Sequence, residues 1–316
     1  MNGTTKHIIL GAGGAVSRVL IDELLSKGEK IKMVSRSGFG MKGTESARAN
    51  LIDFEETNNA IEESSTVYLT AGLAYNLRVW KESWPKIMQN AITACKAKNA
   101  RLIFFDNVYL YGKVDGIMTE DSPINPCSKK GEVRADIAGY LMSEMKDGNI
   151  KAIIARAADF YGPYSDRTSL PFIFVFDRMA NGRKAQWLIN DKVKHSYTYT
   201  GDCGKTLYLL ATTESAYDQV WHLPTASPPL TGEEFIAIAA RILGVSPSRS
   251  LLSAWKIKLA GIFDKQSREV HEMLYQNKYD YVFGSSKFEK FFDFTPTPYE
   301  KGLEETINHF RQRGVI

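Results

Sequence analysis

The chain has 316 residues, 44% of them apolar and 24% charged, with a formal net charge of +4; this is the composition of a soluble globular protein large enough for one domain and a smaller lobe. The charge is spread along the sequence rather than gathered in blocks, which argues against nucleic acid as a partner, and no apolar run approaches the roughly 18 residues of a membrane span. Cys95, Cys127 and Cys203 are too few and too scattered for a disulfide framework or a metal site, and with no basic leader the expected location is the cytoplasm.

His7 to Leu10 is a short apolar run. Gly11-Ala12-Gly13-Gly14 follows, and Val16, Val19, Leu20, Leu24 and Leu25 then recur at helical spacing. Strand, glycine turn and helix, in that order, open a dinucleotide-binding unit. The turn needs positive φ, the backbone must come close to a pyrophosphate, and the first helical N–H groups face the anion. The expected cofactor contacts are Gly11, Ala12, Gly13, Gly14, Ala15 and Val16; a tight turn without a ligand is the bland alternative. Lys30 to Ser35 reads as a second strand. An acidic residue at its end would accept from the adenosine ribose and repel a 2′-phosphate, but the chain has Ser35-Arg36-Ser37 there. A guanidinium between two hydroxyls favours NADP, with NAD the alternative cofactor and a solvated loop arginine the bland reading.

Residues 38 to 47 read as loop, and Asn50-Leu51-Ile52-Asp53 as a short third strand entering a helix around Asn58. Thr66 to Thr70 is a buried strand, and its end, Thr70-Ala71-Gly72, offers a second close backbone approach to the cofactor. Residues 77 to 98 carry a stripe of Trp80, Trp84, Ile87, Met88, Ala91 and Ile92, either core or a subunit contact that leaves a homodimer open. Arg101 to Asn107 is the next strand. Continued as extended chain through Gly112, it places Asn107, Tyr109 and Tyr111 on one face; tyrosines packed on a neighbouring helix are the alternative.

Glu132 to Met145 reads as a helix and Lys151 to Ala155 as a strand. Beyond Pro163 the βα alternation stops. A helix from Phe172 to Met179 ends at Asn181-Gly182, and strand-like pieces follow at Ala185 to Ile189 and Ser196 to Thr200. Gly201 to Ala211 is a helix, and Val220 to Leu223 an apolar strand able to rejoin the main sheet. Thr231 with Glu234 is a capping box opening a helix that Gly244 stops, and Leu303, Ile307 and Phe310 mark a last amphipathic helix. The expected fold class is α/β: a Rossmann doubly wound parallel sheet with a smaller mixed C-terminal lobe. Residues 1–163, with a returning strand near 219–223, form the dinucleotide-binding domain, and 164–316 mainly the substrate lobe.

These residues resemble, over nearly the whole length, the extended short-chain dehydrogenase/reductases of the NAD(P)-dependent epimerase/dehydratase group. Gly11-x-x-Gly14-x-x-Ser17 is similar to that family's Gly-x-x-Gly-x-x-Gly. Asn50-Leu51 stands where the family has Asp-Leu beside the adenine, and Thr70-Ala71-Gly72 resembles its cofactor-lining strand end. Phe160-Tyr161-Gly162-Pro163 and Pro296-Thr297-Pro298 are further landmarks. The resemblance implies a catalytic Ser or Thr and a Tyr-x-x-x-Lys, and all three are replaced. Asn107 takes the hydroxyl position, Lys130 the tyrosine and Arg134 the lysine, where an arginine can still hold ribose.

Tyr109, two residues past Asn107, is the expected stand-in acid/base; a nearby Lys130 or Arg134 would favour its phenolate, and Lys130 itself is the second choice. Asp159 resembles the position of a substrate-binding asparagine in sugar-nucleotide epimerases. His195 stands where those enzymes carry a diphosphate-binding arginine, and an imidazole lacks the fixed charge and the bidentate fork. The expectation is an NAD(P)-dependent oxidoreductase or epimerase/dehydratase-like enzyme acting on a small carbonyl or hydroxyl, sugar-like substrate, without a metal. The alternative is an NADP-binding sensor without turnover.

Overall fold

The computed structural model describes residues 6–166 and 169–316. Its centre is a seven-stranded sheet. β1 (Lys6–Leu10), β2 (Lys30–Ser35), β3 (Glu45–Arg48), β4 (Thr66–Leu69) and β5 (Arg101–Asp106) are joined by the strands Ala152–Arg156 and Gln219–His222. The order across the sheet is Gln219–His222, Ala152–Arg156, β5, β4, β1, β2, β3, and the pairings from β3 to Ala152–Arg156 are parallel. Sequence dictates this arrangement. Ile8-Ile9-Leu10, Val67-Tyr68-Leu69, Leu102-Ile103-Phe104 and Ile153-Ile154-Ala155 are continuous apolar runs buried on both faces, as parallel strands between helical layers require. Strand order reverses between β1 and β4, which opens the crevice at their carboxyl ends where a doubly wound sheet takes its ligand. The fold is the expected Rossmann type, and the strand near residue 220 does rejoin the sheet.

Helices α1 (Ala15–Ser26), α2 (Phe54–Ala60), α3 (Leu77–Ala97) and α4 (Lys129–Lys146) flank these strands in sequence. The stripe on α3 is buried throughout, as its periodicity predicts. Two expectations are corrected. The third strand is Glu45–Arg48, not Asn50–Asp53; it is a largely exposed edge strand with no apolar pattern. Asn50–Asp53 is instead the approach to α2, whose first turn is capped by Asp53 accepting the Glu56 N–H at 2.9 Å. Nor does extended chain run on to Gly112, because Tyr109–Tyr111 is a single 3₁₀ turn. Asn107 Oδ1 accepts the Tyr109 N–H at 3.1 Å, a local side-chain bond that competes with strand geometry, and Gly112 at φ +63° closes the corner.

By contacts the chain forms two compact units. The first takes its described residues from 6–110, 130–156 and 203–221 and contains the sheet as far as Trp221. The second draws on 111–129, 157–202 and 222–316. It is built from short strand pairs, among them Asp159–Tyr161 beside Tyr197–Tyr199 and Lys194–His195 beside Leu230–Thr231. They pack around an aromatic core that includes Phe176, Trp187, Tyr197, Phe235 and Phe310. The capping box at Thr231 and Glu234 forms in full, and the helix Gly232–Leu243 ends at Gly244 in the left-handed conformation. Asp202 binds the backbone N–H and hydroxyl of Thr297 at 2.7 and 2.8 Å, pinning the Pro296–Pro298 segment. Among the described residues no helix is long and apolar enough to cross a membrane.

Candidate functional site

At the end of β1 the backbone takes two turns that L side chains resist, with φ +88° at Gly11 and +113° at Gly13. The N–H groups of Gly11 and Ala12 both donate to Val34 O, at 2.9 and 3.0 Å, which ties the turn to β2. A Cβ on Gly11 would run into the Ala71 backbone, so the turn after β1 and the chain just past β4 leave no room between them for a side chain. Thr70 seals this contact by donating its N–H to Leu10 O at 3.0 Å. Ser17, in the third glycine's place, accepts the Gly13 N–H and donates to Gly14 O, at 2.9 and 2.8 Å. No side chain caps α1, so the N–H groups of Ala15 and Val16 and the positive end of the helix dipole are left to a ligand. That geometry fits a pyrophosphate. Ser35 Oγ accepts the Phe39 N–H at 3.0 Å, and Arg36 is exposed. Asn50 is exposed and Leu51 buried, with Leu51 O accepting from Asn90 at 3.0 Å.

Across the crevice, at the end of β5, Val108 and Leu110 are fully buried while Asn107 and Tyr109 stay half-exposed. Asn107 and Tyr109 keep the shared side expected of them, out of the core, although the chain is a turn. Tyr111 departs from it, buried with its hydroxyl on His222 at 2.8 Å. The Tyr109 ring stacks on Trp80 at 6.2 Å and 14°, and Tyr75 meets Trp80 edge-on at 5.7 Å. α4 starts three residues earlier than its periodicity predicts, so Lys130 lies in its first turn, fully buried, with Nζ 4.7 Å over the Tyr75 ring. Arg134, one turn on, is also buried, but it does not stand open beside Lys130. Its guanidinium is drawn onto the Asp106 carboxylate and lies 4.5 Å from the Trp84 ring and 4.9 Å from Phe104. A buried cation requires such a partner, and this one lay unrecognised in the sequence.

In the second unit, His195 and Asp159 come together as a pair. His195 Nε2 is 3.1 Å from Asp159 Oδ2, and Nδ1 is 3.2 Å from Gln276 O. Each ring nitrogen therefore faces an acceptor, and the tautomer decides which of the two bonds is made. The ring stacks on Tyr281 at 5.5 Å. Nearby, the hydroxyls of Tyr275 and Tyr281 and the amide nitrogen of Gln276 are buried together. Burial, reinforced by the Asp159 charge, pushes both phenols up, so they remain neutral donors.

Sequence reasoning missed Asp106 and Arg156, whose Nε donates to Asp106 Oδ2 at 3.2 Å. It also missed Tyr275, Gln276 and Tyr281. The signal for the first pair is opposite charge at matching ends of two apolar strands, and Asp106 and Arg156 are indeed register partners. No local pattern marks the other three.

The profile of the NAD-dependent epimerase/dehydratase family matches residues 7–221. A dTDP-4-dehydrorhamnose reductase of Mycolicibacterium smegmatis is 24% identical over 211 residues, 62% of this chain. The chain spans 57% of that relative's length. Among solved structures, the UDP-glucose 4-epimerase of Thermus thermophilus in complex with NAD superposes with a TM-score of 0.80 at 18% identity, covering 97% of this chain and 99% of its own. The UDP-glucose 4-epimerase of Thermotoga maritima with UDP-glucose gives 0.79 at 17% identity, over 98% and 99%. At these identities the structural likeness speaks for the fold.

Proposed function

The chain belongs to the NAD-dependent epimerase/dehydratase family, and from that premise we propose that it is a nicotinamide-dependent enzyme that prefers NADP and acts at a carbonyl or hydroxyl carbon of a sugar-like substrate. The observation that carries the cofactor assignment is the glycine cradle, where Gly11 lies against Ala71 at the strand-order reversal and α1 has no side-chain cap. The pyrophosphate is assigned to the N–H groups of Ala15 and Val16 at the uncapped start of α1, and a 2′-phosphate to Arg36 and the hydroxyls beside it. Arg18 adds a second cation near this corner, stacked 4.9 Å over Phe39. When bound, the nicotinamide supplies hydride exchange with the substrate carbon. Tyr109 then exchanges the proton of the substrate oxygen at Oη, and the Asn107 amide orients that oxygen. Arg134 acts through Asp106 in this reading, rather than directly on the ribose.

Within the second unit, Asp159 and His195 are assigned to substrate. Asp159 is an acceptor, and the buried Tyr275, Gln276 and Tyr281 add side chains able to donate. Hydroxyl-rich ligands suit that set. The burial of both Lys130 and Arg134 favours a second reading, an NADP-binding protein without turnover.

Titration with NADPH and NADH, repeated on Arg36→Ala, tests the assignment. Tighter NADPH binding that falls by about tenfold in the variant, the order of one charge-assisted contact, is the expected result. Equal affinities unchanged by the substitution would refute the NADP preference, and no binding of either would remove the enzyme reading.

A further inference from the structure

We propose that Asp106 is the positioning residue of this site, a single carboxylate that sets the corner carrying Asn107 and Tyr109; the inference rests on the roles assigned above to those two residues. Asp106 ends β5 and is almost wholly buried. Its Oδ1 accepts the Asn107 backbone N–H at 2.8 Å and Arg134 Nε at 2.8 Å, with Arg134 Nη2 on the same oxygen. Its Oδ2 accepts Arg156 Nε. One side chain therefore joins the strand end, α4 and the neighbouring strand.

Two tethers lead on from it to Tyr109. The first runs along the backbone, since the Asn107 held by Asp106 accepts the Tyr109 N–H through its own side chain. The second runs through rings. The Arg134 guanidinium lies 5.9 Å from the Trp80 ring as well as against Trp84 and Phe104, and Trp80 carries Tyr109 on its face. Trp80 is itself fixed by its indole N–H on Ala74 O at 3.0 Å.

Stability alone accounts poorly for this cluster. Apolar residues of similar volume commonly stabilise a core as well as buried ions do. Apolar residues cannot orient a turn N–H and a guanidinium plane at the same time, whereas a carboxylate can.

Amide hydrogen exchange across residues 104–112 of the full chain, with melting temperature and NADPH affinity, tests the proposal in two variants. Asp106→Glu keeps the charge but carries the carboxylate one methylene away from the Asn107 N–H. Exchange at Asn107 and Tyr109 is expected to quicken by about tenfold, the scale of one lost hydrogen bond. Arg156→Met leaves every Oδ1 contact in place; it is expected to lower the melting temperature while exchange at 107–109 stays as in the parent. Unchanged exchange in Asp106→Glu, or equal quickening in both variants, overturns the proposal. Should Asp106→Glu not fold, Asp106→Asn combined with Arg134→Met and Arg156→Met keeps the Oδ1 acceptor for the Asn107 N–H and removes both cations that need the carboxylate. Retained protection there supports the proposal and lost protection overturns it. If the parent chain binds no NADPH, the enzyme reading fails on its own, and the exchange pattern still decides whether Asp106 orders the corner.

Discussion

The Tyr109 ring rests on Trp80 and its backbone is held by Asn107, two contacts that a phenylalanine keeps. Tyr109→Phe is expected to lower turnover by roughly 10²–10⁴-fold, the range for a lost acid/base group, with NADPH affinity and melting temperature unchanged. Steady-state rates beside a binding titration check this, and full retained rate would make Tyr109 a packing residue. The exposure of Asn107 and Tyr109 was legible from the sequence because Val108 and Leu110 are apolar and alternate with them. The turn that carries them was not, since it depends on one side-chain bond from Asn107. Asp106 was hidden for another reason. A charged residue at a strand end looks solvated until the neighbouring strand is known, and its partners lie 28 and 50 residues away in sequence.

Elements with one buried face and strands buried on both sides could be read directly; those without a sided pattern could not. α3 buries the whole stripe that its spacing picks out, and α1 buries Val16, Val19, Leu20 and Leu24 while Leu25 stays half-buried. β3 is polar and exposed, and the helix Ala254–Phe263 buries Ile257 while leaving Trp255 and Leu259 in solvent, so neither shows a clean period. The capping box is the sharpest local signal, and its contribution can be measured. Thr231→Ala removes the acceptor for the Glu234 N–H and one anchor of the Glu234 carboxylate. A loss of about 1 kcal/mol is expected, read as a lower midpoint in urea with the slope unchanged; no shift in midpoint would show that tertiary packing alone holds this helix start.

For the molecule as a whole, acid sensitivity is expected to originate at the amino ends of the central strands, away from the cofactor crevice. His7 is buried on β1 with Nδ1 2.9 Å from the Tyr68 hydroxyl and Nε2 3.5 Å from Glu29. Burial holds its pKa below the ordinary 6.5, and Glu29 offsets this only in part. The unfolded chain thus binds the proton more readily than the folded one. The neutral ring's contribution is complete above pH 6.5 and is lost as the pH falls through the lowered value, by at most about 1.4 kcal/mol per pH unit. His7→Gln should flatten that part of the stability–pH curve; superimposable curves for parent and variant would exclude His7 as the source. The sheet also has a timetable. The strand Ala152–Arg156 has β5 on one side from the outset, but its other neighbour, Gln219–His222, ends 66 residues further along the chain. At about 5–20 residues per second, a ribosome needs roughly 3 to 13 seconds to supply it. Throughout that interval a hydrophobic strand presents an open edge, the surface on which stray chains pair. The nascent protein is most vulnerable then, and it is the stage at which a chaperone would have most to protect.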